Sequence, residues 1–255
     1  MNITHIYYDE IDSTNNEIKR QIEHNIKEGT VISAGTQTAG RGRSGHDWIS
    51  PKNVSVATSM VLYPKSVKME HVPRMTLLAA VAVAKAIESL YDLKTEIKWP
   101  NDILVHKKKI CGILTEMEAE AGQVKYVVVG IGVNVHNREF TPELLDKATS
   151  LDLALEEEGK HILTHCKDVT KEIWNSFGEI YESFLETEDL TSILSFYNDR
   201  LVNKNRQVRV LNPLGEYEAV AKEMLPTGEL LVDKSGEMIK IDSGEVSVRG
   251  IYGYV

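Results

Sequence analysis

Apolar positions along the chain change their period several times, and each change marks an element. Residues 3–8 (ITHIYY) are β-branched and aromatic and predict a first strand. Thr14 with Glu17 three positions later has the form of a capping box, so a helix is expected from there to about Asn25. Residues 30–36 (TVISAGT) read as a strand running into a glycine-rich stretch, 40–45. Residues 54–62 (VSVATSMVL) alternate as a strand does. Pro73 opens a helix whose interior, 75–90, is apolar on nearly every side and is therefore expected to be buried. Short strands follow at 96–99, 102–106 and 109–118, with Pro100-Asn101 and the lysines 107–109 at the turns. Residues 126–135 (YVVVGIGVNV) form the most apolar strand and are placed centrally in a sheet.

Residues 143–200 read as mainly helical, with Trp174, Phe177, Tyr181, Phe184 and Leu185 at helical spacing, a stripe best explained by packing. The texture then changes. Segments 207–211, 216–225, 229–233, 237–241 and 245–249 are short, alternating and separated by glycine or proline turns, the pattern of a small β-barrel or sandwich. Two units are expected, 1–204 and 205–255, with no internal repeat and no low-complexity tract.

Composition narrows the picture by exclusion. With 42% hydrophobic and 26% charged residues among 255, the chain has the make-up of a globular protein. Its formal charge of −9 argues against a general nucleic-acid binder, while leaving room for a local cationic site. No apolar run spans a bilayer and the N-terminus lacks the form of a secretory signal, so the cytoplasm is the expected compartment. Two cysteines, Cys111 and Cys166, make neither a disulfide framework nor a zinc site, and the eight histidines show no metal spacing. Cys111 reads as a small buried hydrophobe rather than a nucleophile.

Four constellations carry chemistry. The stretch from Gly40 to Trp48 (GRGRSGHDW) combines glycines, which let backbone N–H groups approach a ligand, with Arg41 and Arg43, which grip phosphate or carboxylate. It lacks the spacing of a Walker A loop or a dinucleotide fingerprint, and a flexible basic loop explains it equally well in isolation. Lys98-Trp99-Pro100-Asn101-Asp102 places an ammonium at a strand end, where it can offset charge as a carboxylate attacks a phosphate. Gly130-Ile131-Gly132-Val133-Asn134 interrupts an apolar strand with glycines, as a ligand's close approach or a bulge requires. Ser13, Thr14 and Asn15 with Gln37 offer donors and acceptors to a neutral, amide-like ligand, although helix capping also accounts for Ser13 or Thr14.

In order and spacing, DSTN, TQTAGRGR, KWPND, CGIL-x-E and GIGVN closely resemble the catalytic domain of biotin–protein ligases, strongly over about residues 5 to 135. The resemblance is moderate over the C-terminal segment ending Gly250-Ile251-Tyr252-Gly253. It implies an α+β fold like that of class II aminoacyl-tRNA synthetases, with a mixed, largely antiparallel sheet, helices on one side and a small C-terminal SH3-like barrel. It implies two chemical steps: biotin and ATP give biotinyl-5′-AMP and pyrophosphate, and a lysine of a biotin carboxyl carrier domain then displaces AMP. Mg²⁺ is expected with ATP, without direct protein ligands. By resemblance, Lys98 and Arg43 are catalytic. Biotin is contacted by Ser13, Thr14, Asn15, Gln37, Gly40, Arg41, Gly42, Arg43, Lys98 and Gly112. The nucleotide is contacted by Arg41, Arg43, Trp48, Lys98 and Asn134.

Two departures stand out. His46 occupies the place of a further loop arginine, which puts one loop contact in doubt. The STN motif begins at residue 13, leaving no room for the DNA-binding segment that some members carry, so no repressor role and no nucleic acid partner are expected. A homodimer is compatible with the resemblance. The rival enzyme reading is a lipoate or octanoate ligase or transferase of the same fold, and the non-enzyme alternative is a biotin-sensing regulator.

Overall fold

The computed structural model describes residues 1–45, 47–48, 51–212, 215–243 and 247–250. His46 and the terminal motif residues 251–253 lie outside the described residues. The chain runs β1 (Thr4–Ile11), α1 (Thr14–Ile22), β2 (Thr30–Gln37), β3 (Ser55–Leu62), α2 (Arg74–Tyr91), β4 (Glu96–Lys98), β5 (Asp102–Val105), β6 (Lys108–Glu120) and β7 (Gln123–Asn134). It continues through α3 (Leu151–Glu157), α4 (Cys166–Thr187) and α5 (Thr191–Arg200). The last strands are β8 (Gln207–Asn212), β9 (Gly215–Met224), β10 (Leu230–Lys234), β11 (Glu237–Ile241) and β12 (Ser247–Gly250).

The first seven strands form one mixed sheet in the order β1-β2-β3-β7-β6-β5-β4. Only β1 and β2 pair in parallel. As expected, β7 is central, paired with β3 on one side and β6 on the other.

Helices cover both faces, which corrects the expectation that they lie on one. Successive side chains of a strand point to opposite faces, and here both sets find helical partners. Val31, Met60, Leu62, Val127 and Val129 belong to the main core with α2 and α4, whereas Ile32, Val61 and Val128 pack with Ile18 of α1. In keeping with this, β3 is buried at every position, the mark of a strand covered on both sides.

On the main-core side, α2 is almost wholly buried, as its apolar sequence requires. Helix α4 packs there through the aromatic stripe, with Trp174 edge-on to Phe177 at 5.5 Å and Phe177 stacked on Tyr181 at 5.7 Å. Glu88 of α2 binds Arg200 of α5 at 2.6 Å and tightens this layer.

The last five strands make an antiparallel sheet in the order β11-β10-β9-β8-β12. Val208, Val210, Ala221, Leu230 and Val232 join the same core as α2 and α4. Polar contacts reinforce the join. The Trp99 indole N–H donates to the Gly228 carbonyl at 3.3 Å, and the Asn198 amide both donates to and accepts from the Met224 backbone, at 2.9 and 2.8 Å. Among the described residues no helix is long and apolar enough to cross a membrane.

Candidate active site

The site lies on the α1 face of the large sheet, where side chains are missing. Gly112 of β6 stands opposite Gly132 of β7, and Leu114 stands opposite Gly130. The α1-facing side of these two strands is therefore a nearly flat floor. A Cβ on Gly130 would lie 2.2 Å from the Asn15 oxygen, and one on Gly132 would lie 2.3 Å from the Trp48 ring. Glycine is needed at both places because the neighbours already occupy the Cβ position.

The start of α1 forms one wall. Ser13 is the helix N-cap in extended conformation, but no side-chain cap is made. The capping box read from the sequence is replaced by longer-range bonds. Gln37 Oε1 accepts from the Thr14 backbone N–H at 2.8 Å and lies 3.0 Å from the Thr14 hydroxyl. Glu17 instead binds Arg20, Gln21 and Tyr8. Fully buried Ser59 of β3 lies 2.6 Å from both Thr14 Oγ1 and Asn15 Oδ1. These groups are thus aligned by one another before any ligand arrives.

The loop after β2 forms the opposite wall. Its base is pinned where Thr38 and Ala39 donate to the Ile11 and Asp12 carbonyls, both at 2.9 Å. The backbones of Arg41 and Asp47 pair in an antiparallel bridge, and the Trp48 N–H donates to the Gly40 carbonyl at 3.0 Å. A Cβ on Gly40 would stand 2.4 Å from the Trp48 carbonyl, so this closure requires glycine. Arg41 reaches Asn16 and lies 3.8 Å from Glu116. Arg43 donates to the Ser243 carbonyl, beyond β11, at 2.6 Å, so the second sheet takes part in holding the loop. Burial lowers the Arg43 pKa and nearby Asp102 acts against that shift.

Lys98 is buried at the end of β4, in register with Asp102. The Trp99–Pro100 peptide bond is cis. Asn101 is fixed by exchanging bonds with the Ile113 backbone, at 3.0 and 3.2 Å. Asn134 is buried and donates to the Thr149 carbonyl at 3.0 Å. Cys111 is buried beside the floor and burial pushes its thiol far up, so it is no nucleophile.

A cavity of about 50 Å³ is lined by Ser13, Thr14, Asn15, Gln37, Arg41, Gly42, Arg43, Trp48 and Gly112, among others. The structure therefore brings together nine of the residues singled out from sequence, while Gly40, Lys98 and Asn134 stand outside the lining. That volume holds about two waters, because the Trp48 indole lies on the glycine floor. The indole N–H is buried with no acceptor among the described residues. A second cavity of about 230 Å³ is lined by Arg43, Thr76, Asn101, Thr115 and Ser243, with apolar residues between them. Arg43 and Asn101 line both.

Two further charged groups line or flank the site. Lys109 projects beside the floor, 2.6 Å from Asp102 and 5.9 Å from the Trp48 ring centre. In the sequence it stands both in the turn lysines 107–109 and at the start of the strand that leads to Gly112, with nothing local to mark it as a site residue. Glu116, the last residue of the CGIL-x-E motif, accepts from Asn15 and Lys19, a role the motif alone does not specify. Among the described residues no group of three or more His, Cys, Asp or Glu side chains is placed to hold a metal.

The site thus pairs an amide-and-hydroxyl wall with a cationic loop over a side-chain-free floor, the layout of an acid-activating ligase. The chain belongs to the Biotin/lipoate A/B protein ligase family, whose model matches residues 7–134. It is 36% identical over 247 residues to the bifunctional ligase/repressor BirA of Bacillus subtilis, covering 95% of this chain and 73% of that protein. It is 27% identical over 226 residues to the biotin–[acetyl-CoA-carboxylase] ligase of Mycobacterium tuberculosis, covering 86% of this chain and 79% of that one. The structure of the biotin protein ligase of Aquifex aeolicus in complex with biotin and ATP matches with a TM-score of 0.82 at 29% identity, over 97% of this chain and 99% of that one.

Proposed function

We propose that this chain is a biotin–protein ligase that attaches biotin to a lysine of a carboxylase carrier by way of biotinyl-5′-AMP. The observation that carries the reading is the cavity's polarity: Thr14, Asn15 and Gln37 on one wall, Arg41 and Arg43 on the other. Biotin has the matching ends, a neutral urea ring and a carboxylate. Lipoate and octanoate present no hydrogen-bonding group at the far end, so the amide wall would face hydrocarbon. Leaving such groups unpaired costs about 1–3 kcal/mol each, which favours the biotin reading within the family.

In the first step a biotin carboxylate oxygen attacks the α-phosphorus of ATP. The bond to the β-phosphate bridging oxygen breaks and pyrophosphate leaves. Two anions must approach, so preorganised cations lower the barrier. Lys98 and Arg43 are assigned this catalytic task, with Arg41 supporting the carboxylate and phosphate side. The backbone at Gly40, Gly42 and Gly112 admits the ligand closely, and Ser13 adds a hydroxyl at the ring end. Trp48 walls the nucleotide once it has left the floor, and Asn134 serves the adenylate side. Mg²⁺ enters bound to the phosphates of ATP and water, the usual mode for that ion.

In the second step the neutral amine of the carrier lysine attacks the acyl carbon, AMP departs with the electron pair, and the amine loses a proton. The second sheet is read as an SH3-like barrel beginning near residue 205; its grip on Arg43 through Ser243 supports a part in loop closure. A cytoplasmic setting suits a carrier of this kind.

The test is transfer itself. Incubation with ATP, Mg²⁺, biotin and a purified carrier domain from a biotin-dependent carboxylase should add one biotin to one lysine, detected by mass. No addition to the carrier, with the protein folded, would refute the assignment.

A further inference from the structure

Glu116 belongs to β6, faces α1, and stands in register with Val128. Its Oε2 accepts from the Asn15 amide nitrogen at 2.6 Å, and its Oε1 accepts from Lys19 at 2.8 Å. Burial by itself would push its carboxyl up, but the bonds from Lys19 and Asn15, with the charges of Lys19 and Arg41, hold it below the usual range. It is therefore a carboxylate at neutral pH, and a carboxylate can only accept hydrogen bonds.

That one fact orients the Asn15 amide. The end of the Asn15 amide against Glu116 has to be the nitrogen, so its oxygen faces Ser59. An amide oxygen only accepts, so the single Ser59 proton goes to Asn15 across 2.6 Å. The Ser59 and Thr14 hydroxyls lie 2.6 Å apart, and Thr14 Oγ1 is in turn 3.0 Å from Gln37 Oε1, so the single Thr14 proton serves one of these two contacts. Gln37 is oriented at the far end, because its oxygen receives the Thr14 backbone N–H. Its nitrogen is left with protons to give. A urea carries one carbonyl acceptor between two N–H donors, and only one arrangement of the wall complements it. Without the carboxylate, nothing distinguishes the two ends of the Asn15 amide. A half-turn would exchange donor for acceptor in a fully walled site.

We propose that Glu116 is a positioning residue for the ring end of the substrate, acting through Asn15 to fix which groups of the wall donate and which accept. This rests on the reading of the substrate as biotin. Glu116 itself lies outside the cavity lining and acts on the substrate only at second hand.

The experiment measures biotin-dependent ATP–pyrophosphate exchange for the parent, Glu116→Ala, Glu116→Gln, Asn15→Ala and the Asn15→Ala/Glu116→Ala pair, with melting temperatures for all. Either Glu116 variant should raise the KM for biotin about tenfold, the effect of losing one buried hydrogen-bonded orientation. The KM for ATP should stay within about twofold, and adding Glu116→Ala to Asn15→Ala should cause no further loss. A biotin KM unchanged in Glu116→Gln, which retains the volume of the side chain, would overturn the proposal. So would losses that multiply in the double variant, or an equal rise in both KM values with a lowered melting temperature, the mark of a purely structural part. Lack of exchange in the parent would instead strike the biotin reading on which the proposal stands.

Discussion

A methyl group on Gly132 would stand 2.3 Å from Cε2 of Trp48, because the indole packs directly against the glycine floor. The 50 Å³ that remain hold only about two waters. The indole and a ligand seated on this floor would claim the same space. Gly132→Ala fills the same space permanently and cannot be relieved by a rotamer change. A methyl pressed against the bound ligand costs about 1–3 kcal/mol, so biotin affinity should fall about 5- to 150-fold while the fold persists. Calorimetric titration with biotin checks the affinity. Fluorescence of Trp48, read against the buried Trp99 and Trp174, should change on biotin addition to the parent and much less in the variant.

Lys98 is expected to act on adenylate formation. Its ammonium is buried at the end of β4 and needs no reorganisation as charge develops. Lys98→Ala should slow single-turnover adenylation about 100-fold or more, with little change in melting temperature. A rate within about threefold of the parent would remove Lys98 from the chemistry.

Arg43 lines both cavities and is tied to the Ser243 carbonyl, so one guanidinium joins the loop, the site and the second sheet. Arg43→Gly should weaken retention of the adenylate by about 2 kcal/mol, roughly 30-fold. The reactive anhydride would then escape and label an unrelated lysine-rich protein far more than the parent does. Equal bystander labelling, with adenylate synthesis confirmed, would contradict this role.

Stability should respond to acid through the pair that joins α2 and α5. Burial raises the Glu88 pKa, but bonds from Arg200 and Thr95 outweigh it and leave the carboxyl below its usual value. A carboxyl more acidic in the folded state contributes stability above its unfolded pKa of about 4.3 and loses it as pH falls through the folded value. Arg200→Met should therefore lower the melting temperature at pH 7, by about 1–2 kcal/mol or about 3–6 °C. The difference should shrink as pH falls from about 5 to about 3. A constant difference across that range would show that packing of Arg200 on Phe196, rather than its charge, is responsible.

The elements legible in the sequence were those whose signal is local. The alternation of β3, the all-round apolarity of α2 and the glycines of β7 each fix an element within their own residues. The motif residues Thr14, Asn15, Gln37, Arg41, Arg43 and Trp48 line one cavity. What stayed hidden depends on partners far along the chain. Thr14 looked like a helix cap, but its bonds go to Gln37 and Ser59. Glu116 stands in the CGIL-x-E motif, but only the seating of α1 over β6 gives it Asn15 and Lys19 as partners. Lys109 lay in a run of three lysines, and only the pairing of β5 with β6 brings it to Asp102. The second helix layer was missed because the burial of α1 rests on a few residues, Ile18 foremost, rather than on a continuous apolar run.

The most direct measurement of the central claim is acid-dependent ATP–pyrophosphate exchange by the purified protein, run in parallel with biotin, lipoate and octanoate. The account predicts exchange with biotin well above that with either other acid, because only the urea ring satisfies the wall built by Thr14, Asn15 and Gln37. A biotin signal no greater than those of lipoate and octanoate would contradict it.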